Sequence, residues 1–242
     1  MSGQLNFEIE ITPNIKELKS NDKINSNLDN LINKNLKMDG LYLLDKIGQN
    51  KIKACFFDPQ YRGVLDKLGY GNEGKSREVR RCELEQMSEE TIVEFLQKIS
   101  NSLMPSGHLF LWIDKFHLCE GVSHWFKNTD LSIVDLVTWE KSRIGMGYRT
   151  RRKSEYLMIL QKKPNRAKGF WTIHDIPDVW LEKVETKTHP HSKPIGLQQK
   201  LIEAVSFEGD LILDPAMGSG SVFEACKNVN RNFIGCDLNG KD

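Results

Sequence analysis

The chain has 242 residues, a net charge of +1 and 39% apolar residues, enough for one sizeable α/β domain around a single core. No apolar run is long enough to span a bilayer and no basic-then-apolar leader opens the chain, so a membrane span and a signal peptide are both disfavoured and a soluble, cytoplasmic protein is expected. The five cysteines, Cys55, Cys82, Cys119, Cys226 and Cys236, are scattered and never spaced as C-x-x-C, which argues against a disulfide framework or a zinc site.

Residues 1–36, rich in Asn, Lys and Asp, have weak helical periodicity and little to bury, so they are read as a peripheral helix or mobile arm ahead of a domain over 37–242. Strand-like and helical runs then alternate. Strands are expected at 51–57 ("KIKACFF"), 107–113 ("GHLFLWI"), 131–139 ("LSIVDLVTW"), 154–161, 210–214 ("DLILD") and 231–237 ("RNFIGCD"). Helices are expected at about 88–103, 116–127, 194–205 and 219–229. Ser88 followed by Glu89 and Glu90 is a helix start, with a hydroxyl cap and acids in the first turn. This alternation predicts an α/β sheet with helices on both faces.

The long connection over 62–87 contains "GYGNEGKS" (69–76), which matches the letters of a phosphate-binding loop. Such a loop needs a buried strand before its first glycine and a helix at its Lys-Ser. "VLDKL" is not that strand. The stretch is read as a Gly-rich loop whose Lys75, Arg77, Arg80 and Arg81 meet nucleic acid. Further on, Lys141, Arg143, Arg149, Arg151, Arg152 and Lys153 begin a basic run to Lys168 that Glu155 alone interrupts. A local footprint of this kind suits DNA phosphates.

Two short stretches carry chemistry. "LILDPAMGSGS" has the form strand, acid, glycine turn, helix, and ligands of open α/β sheets bind beyond the carboxyl ends of such strands. Gly218 and Gly220 supply the turn, Asp214 is placed to accept from a ligand ammonium, and Asp237, ending the next strand, is placed to accept both hydroxyls of a ribose. In "FFDPQY" an apolar strand ends in Asp58, with Pro59 and Tyr61 beyond it. Asp58 and the Pro59 carbonyl can accept the two N–H hydrogens of a planar amine while Tyr61 stacks on its ring.

Together these motifs resemble the DNA amino-methyltransferases that methylate adenine N6 or cytosine N4. Asp58-Pro59-Gln60-Tyr61 is similar to that family's catalytic "DPPY", and Asp214 to Ser221 to its cofactor motif "DPFMGSGT". The order, catalytic motif first, resembles the permuted β class. "HPHSKP" (189–194) looks like that class's "HPTQKP", and "MDGLYLLDKI" like the segment before the catalytic strand. The resemblance runs from about residue 37 to the end.

It implies a single doubly wound, mostly parallel Rossmann-like sheet, circularly permuted, with S-adenosylmethionine as cofactor and no metal. It places Asp39, Ser192, Lys193, Asp214, Pro215, Ala216, Gly218, Gly220, Ser221 and Asp237 around the cofactor, and Asp58, Pro59 and Tyr61 on a flipped base. Arg143, Tyr148, Arg149, Arg151 and Arg152 then face DNA, in a basic loop over 141–153. Sequence recognition falls to the 62–87 loop, to a small insert over 163–188 holding Trp171 and Trp180, or to a second subunit, another copy or a companion. Three features depart from the pattern: Gln60 for the second proline, Ala216 for a phenylalanine, and a chain that stops five residues after Asp237. The Asp heading the catalytic motif leans towards adenine N6. Cytosine N4 and a catalytically silent nucleic-acid-binding subunit are the alternatives, with RNA in place of DNA a further one.

Overall fold

A computed structural model describes residues 26–60, 86–145, 149–184 and 192–238. Eight strands form one sheet: β1 (Leu36–Lys37), β2 (Ile52–Phe57), β3 (Leu103–Ile113), β4 (Leu131–Glu140), β5 (Ser154–Lys162), β6 (Val179–Leu181), β7 (Leu211–Asp214) and β8 (Asn232–Asp237). Their spatial order is β1-β8-β7-β2-β3-β5-β4-β6. Only the two pairings made by β5, with β3 and with β4, are antiparallel, while β1–β8, β8–β7, β7–β2, β2–β3 and β4–β6 are parallel. One strand therefore runs against seven, and the expected mostly parallel sheet is present.

Both faces of the central strands β2, β7 and β8 are covered, which is why they read as nearly unbroken apolar runs rather than as alternating ones. In β2, Cys55 and Phe57 pack with α2 (Gly40–Ile47) and α3 (Glu89–Ser102) through Leu43, Leu44, Phe95 and Leu96. The intervening Ala54 and Phe56 pack with α5 (Ile195–Val205) and α6 (Ser221–Asn228) through Leu197, Leu201, Val222 and Ala225. Phe56 stacks on Phe110 of β3 at 4.6 Å and Phe57 on Phe95 at 5.1 Å. Each such phenylalanine contributes about 1.5–3 kcal/mol by leaving water.

Ser88 caps α3, its side chain accepting from Thr91 N–H at 3.2 Å. The helix expected over 116–127 is instead broken. A short α4 (Lys115–Glu120) ends at Gly121, whose φ of 80° is a left-handed stop, and a turn of 3₁₀ helix follows over Ser123–Phe126. Within the stretch read as an arm, a short α1 (Ser26–Asp29) precedes β1, Leu28 is buried, and β1 pairs Leu36 with Cys236. Cys55, Cys226 and Cys236 are buried as free thiols. Among the described residues no helix is long and apolar enough to cross a membrane.

Candidate active site

Because the five strands β1, β8, β7, β2 and β3 lie side by side and run the same way, their carboxyl ends share one edge. In that spatial order the chain leaves them at Asp39, Asp237, Asp214, Asp58 and Asp114. A row of acids drawn from five separate parts of the sequence thus lines the edge where ligands of open α/β sheets bind.

The acids are not equivalent. Asp39 caps α2, accepting Tyr42 N–H at 3.0 Å. Asp114 caps α4, its Oδ1 accepting the N–H groups of Phe116 and His117 at 2.9 Å each, with His117 Nδ1 also at 2.9 Å. That carboxylate serves its own helix. Asp237 accepts Gly218 N–H through Oδ2 at 3.1 Å. The turn that donates to it, after β7, has Gly218 at φ 46° and Gly220 at φ 77°, conformations that glycine adopts without strain. Met217 N–H donates to Cys236 carbonyl at 3.0 Å, tying the turn to β8. Gly40 brings α2 against the same turn: a Cβ there would stand 2.3 Å from Pro215 carbonyl oxygen. Ala216 packs on the apolar layer beneath α2 and α3, and Ser221, the first residue of α6, is buried.

Asp214 is 6% exposed and accepts Ala216 N–H at 3.2 Å. Burial, reinforced by the neighbouring charges of Asp58 and Asp237, raises its carboxyl to about 8, against the smaller opposing pull of the Ala216 amide and Lys193. Among the described residues no cation pairs with this carboxylate, and a buried acid so placed is suited to a cationic ligand.

Among the described residues, Asp58 has the cationic partner that Asp214 lacks. Lys193 Nζ lies 2.8 Å from Asp58 Oδ2 and 2.9 Å from Glu155 Oε2, and 4.8 Å above the ring of Trp112. Burial lowers its pKa, but the attraction of Asp58 and Glu155 outweighs burial and holds the ammonium above its ordinary range. Glu155 also pairs with Lys141 through Oε1. Burial pushes its carboxyl up, yet the two lysines bring it down to about 2. Just after Lys193, Glu182 holds the chain by accepting Gly196 N–H at 2.9 Å, Leu197 N–H at 3.0 Å and Trp180 Nε1–H at 2.7 Å. Glu182 thereby caps α5, which begins two residues after Lys193.

The edge thus gathers Asp39, Asp58, Asp214, Pro215, Ala216, Gly218, Gly220, Ser221 and Asp237, with Pro59 buried directly after Asp58. Ser192 is half-buried beside Lys193. Tyr61, Lys75, Arg77, Arg80, Arg81, Tyr148, His189 and His191 lie outside the described residues. Met87 N–H donates to Gln60 carbonyl at 2.7 Å, bringing together the two ends of the 62–87 connection. Residues 141–153 join β4 to β5 at this same edge, with Arg143, Arg149 and Arg151 exposed and Arg152 half-buried. Strand β5 then carries the chain away by roughly 30 Å, at about 3.3 Å per residue. Lys162 accordingly bonds Leu103 carbonyl, at the start of β3, at 2.7 Å. The basic run is therefore two patches at opposite ends of the sheet. Trp171 and Trp180 of the insert pack against the core beneath α5 and α6.

Glu155, Lys141, Trp112 and Glu182 carry no motif and were not anticipated. A lone acid inside a basic run was the one signal that pointed to Glu155.

This arrangement defines an α/β protein that takes its ligand at the carboxyl edge of the sheet, across the glycine turn. Residues 52–241 match the family described as DNA methylase, N6_N4_Mtase. The Type II methyltransferase M.HhaII of Haemophilus parahaemolyticus is 59% identical over 208 residues, covering 86% of this chain and 91% of that one. M2.DpnII of Streptococcus pneumoniae, also a Type II methyltransferase, is 27% identical over 224 residues and covers 82% of each chain. The chain belongs to the DNA methylase family. Among solved structures, the complex of M1.HpyAVI with SAM aligns with a TM-score of 0.61 at 22% identity, covering 84% of this chain and 92% of that one. The cytosine-N4-specific PvuII DNA methyltransferase aligns with a TM-score of 0.61 at 14% identity, covering 83% and 80%. At those identities the likeness is one of fold.

The residues at this edge fit S-adenosylmethionine. Its amino acid part carries an ammonium, which Asp214 is short of, and its ribose carries a diol of the kind that a strand-end carboxylate such as Asp237 accepts. Among the described residues no group of acids, histidines and cysteines is arranged to hold a metal ion.

Proposed function

We propose that the chain transfers a methyl group from S-adenosylmethionine to the exocyclic N6 of adenine in cellular DNA, acting in the cytoplasm. The observation that carries this reading is the juxtaposition of the two motifs. Strands β2 and β7 are paired neighbours, with Cys55 opposite Leu213, so Asp58 and Asp214 leave adjacent strands at one edge.

In this reading Asp214, Pro215, Ala216, Gly218, Gly220, Ser221, Asp237 and Asp39 form the cofactor half, with Ser192 and Lys193 along its border. The cofactor supplies a methyl group on a sulfonium, an electrophile that needs no further activation. Asp58 and the Pro59 carbonyl accept the two amine hydrogens of the base and orient its nitrogen, and Tyr61 stacks on the ring. Their contribution is alignment and the stabilisation of charge developing on nitrogen. The base must leave the duplex to reach them. Arg143, Arg149, Arg151 and Arg152, with Tyr148 and the basic residues of the 62–87 connection, hold the DNA backbone. With both tryptophans of the insert partly buried against the core, the 62–87 connection and a second subunit are the stronger sources of sequence recognition.

The test is nucleoside mass spectrometry of mixed-sequence DNA treated with cofactor and either the native protein or Asp58→Ala. N6-methyladenine from the native protein, reduced at least about 10-fold by the substitution, is the expected result, since a charge-assisted hydrogen bond contributes about 1.5–3 kcal/mol. N4-methylcytosine would keep the site and change the base. Undiminished methylation by Asp58→Ala would remove Asp58 from the mechanism.

A further inference from the structure

We propose that Lys193, anchored by Glu155, is the positioning residue of Asp58, holding that carboxylate through Oδ2 so that Oδ1 is presented to the substrate amine. The proposal deepens the reading of Asp58 given above and rests on it. It also moves Lys193 from the cofactor half of the site to the half that grips the base.

The geometry leaves the ammonium little freedom. Two of its neighbours are the carboxylates of Asp58 and Glu155, at 2.8 Å and 2.9 Å, and a third is the face of Trp112 at 4.8 Å. Its side chain is 14% exposed. Glu155 is held in turn: Lys141 occupies its other oxygen and lies 4.9 Å over the ring of Trp139. The two indoles meet edge to face at 6.0 Å. Two lysines, each seated on a tryptophan, thus bracket one glutamate, and each side chain sets the direction of the next. Behind Lys193, the Glu182 carboxylate fixes the first turn of α5.

Asp58 needs such a hold. It is the first residue beyond β2, its side chain is 41% exposed, and its acidic neighbours along the edge repel it. Asp214 at the end of β7 is close enough that the charge of Asp58 adds to the cost of ionising it, and Asp237 at the end of β8 stands beyond it. Among the described residues, Lys193 is a cation whose charge reaches both Asp58 and Asp214. Without it the carboxylate turns away from the acids and towards water. The amine then loses its acceptor even though Asp58 is still present.

The experiment is a double-mutant cycle on methyl transfer to mixed-sequence DNA, with kcat, the cofactor KM and cofactor affinity by equilibrium dialysis measured for native protein, Lys193→Met, Lys193→Arg, Asp58→Ala and the double variant. Lys193→Met is expected to lower kcat about 10-fold or more, since misplacing a reacting group by about 1 Å costs up to about 100-fold. Cofactor affinity stays within about 2-fold, and Lys193→Arg recovers part of the rate. In the Asp58→Ala background Lys193→Met costs less than about 2-fold, because residues that act as a unit are not additive. An equal loss in both backgrounds, or a loss that appears in cofactor affinity, overturns the proposal. If Asp58→Ala itself is fully active, the underlying reading fails instead. Glu155→Gln leaves the lysine in place and loosens its anchor, so it carries the same cycle if Lys193→Met does not fold. A kcat loss that vanishes without Asp58 supports the proposal, and a loss that persists overturns it.

Discussion

The two halves of the acid-lined edge solve opposite electrostatic problems. On the β8–β7 side, carboxylates are met by backbone amides, Asp237 by Gly218 and Asp214 by Ala216, and the buried Asp214 is left short of positive charge. On the β2–β5 side the chain supplies its own cations: Asp58 and Glu155 share Lys193, and Lys141 closes the network. The difference teaches which charge comes from outside. In the function proposed above, the cationic cofactor completes the first half, whereas the second carries its own cations and presents Asp58 to a neutral amine. Substitutions should therefore separate cofactor binding from methyl transfer along this line.

The largest separation is expected at Asp214. Removing one partner of a buried ion pair costs about 3–5 kcal/mol, so Asp214→Asn should weaken S-adenosylmethionine binding on the order of 100-fold or more in equilibrium dialysis. Lys193→Met should leave that affinity nearly unchanged. Equal losses in the two variants would erase the division between the halves.

The free protein should also report the strain of the first half through pH. Its carboxyl at Asp214 is raised to about 8 from 3.8, so between those values the folded chain keeps a proton that the unfolded chain has given up. The resulting stabilisation is fully present below about pH 4 and is lost as the pH rises through about 8. At about 1.4 kcal/mol per unit of displacement, half of this shift would lower the melting midpoint by roughly 5–10 °C in a chain of this size. Asp214→Asn should flatten that decline, and saturating cofactor should oppose it. A midpoint that holds steady from pH 6 to 8.5 in the free native protein would contradict the uncompensated acid.

The first half was legible in the sequence and much of the second was not. "LILDPAMGSGS" and "NFIGCD" encode strand, acid and turn within a few residues, so Asp214, Gly218, Gly220 and Asp237 could be read locally. Asp58 was readable for the same reason. Its support was not, because Lys193 bonds Asp58 directly and Glu155 reaches that lysine only once β5 has been placed antiparallel beside β3, a pairing that no local spacing announces. The same reversal splits the basic run, whose later lysines follow β5 to the far end of the sheet. Gly121 was visible, but its left-handed stop inside an otherwise helical pattern was not. Glu182 had no signal, since its ligands are backbone amides of a helix that begins thirteen residues later.

That last residue offers a smaller test of the balanced half. Glu182→Ala removes the acceptor of two α5 amides and of Trp180 Nε1–H. Loss of a helix cap costs about 0.5–2 kcal/mol, so a melting-point drop of about 2–6 °C is expected. The residues proposed to hold the cofactor on β7 and β8 are untouched by the change. Cofactor affinity should therefore hold while kcat falls, as Lys193 loses its support. A loss confined to cofactor affinity would mean that α5 serves the other half.

The smallest effect concerns DNA, and it depends on which end of β5 a positive charge occupies. Arg143 and Arg149 lie in the loop that starts beside Lys141, next to the balanced half, and both are exposed. Lys163 and Lys168 are exposed too, but they follow β5 at the opposite end of the sheet. Each phosphate contact contributes about 0.9 to the slope of log affinity against log salt on duplex DNA. Arg143→Ala and Arg149→Ala should each lower that slope by about one, weakening binding at low salt far more than at high salt. Lys163→Ala and Lys168→Ala, which remove the same charge from the same stretch of sequence, should leave the slope unchanged. Because net charge falls equally in all four variants, a slope that responds to every one of them would mean that DNA senses the overall charge of the protein rather than the loop beside Asp58.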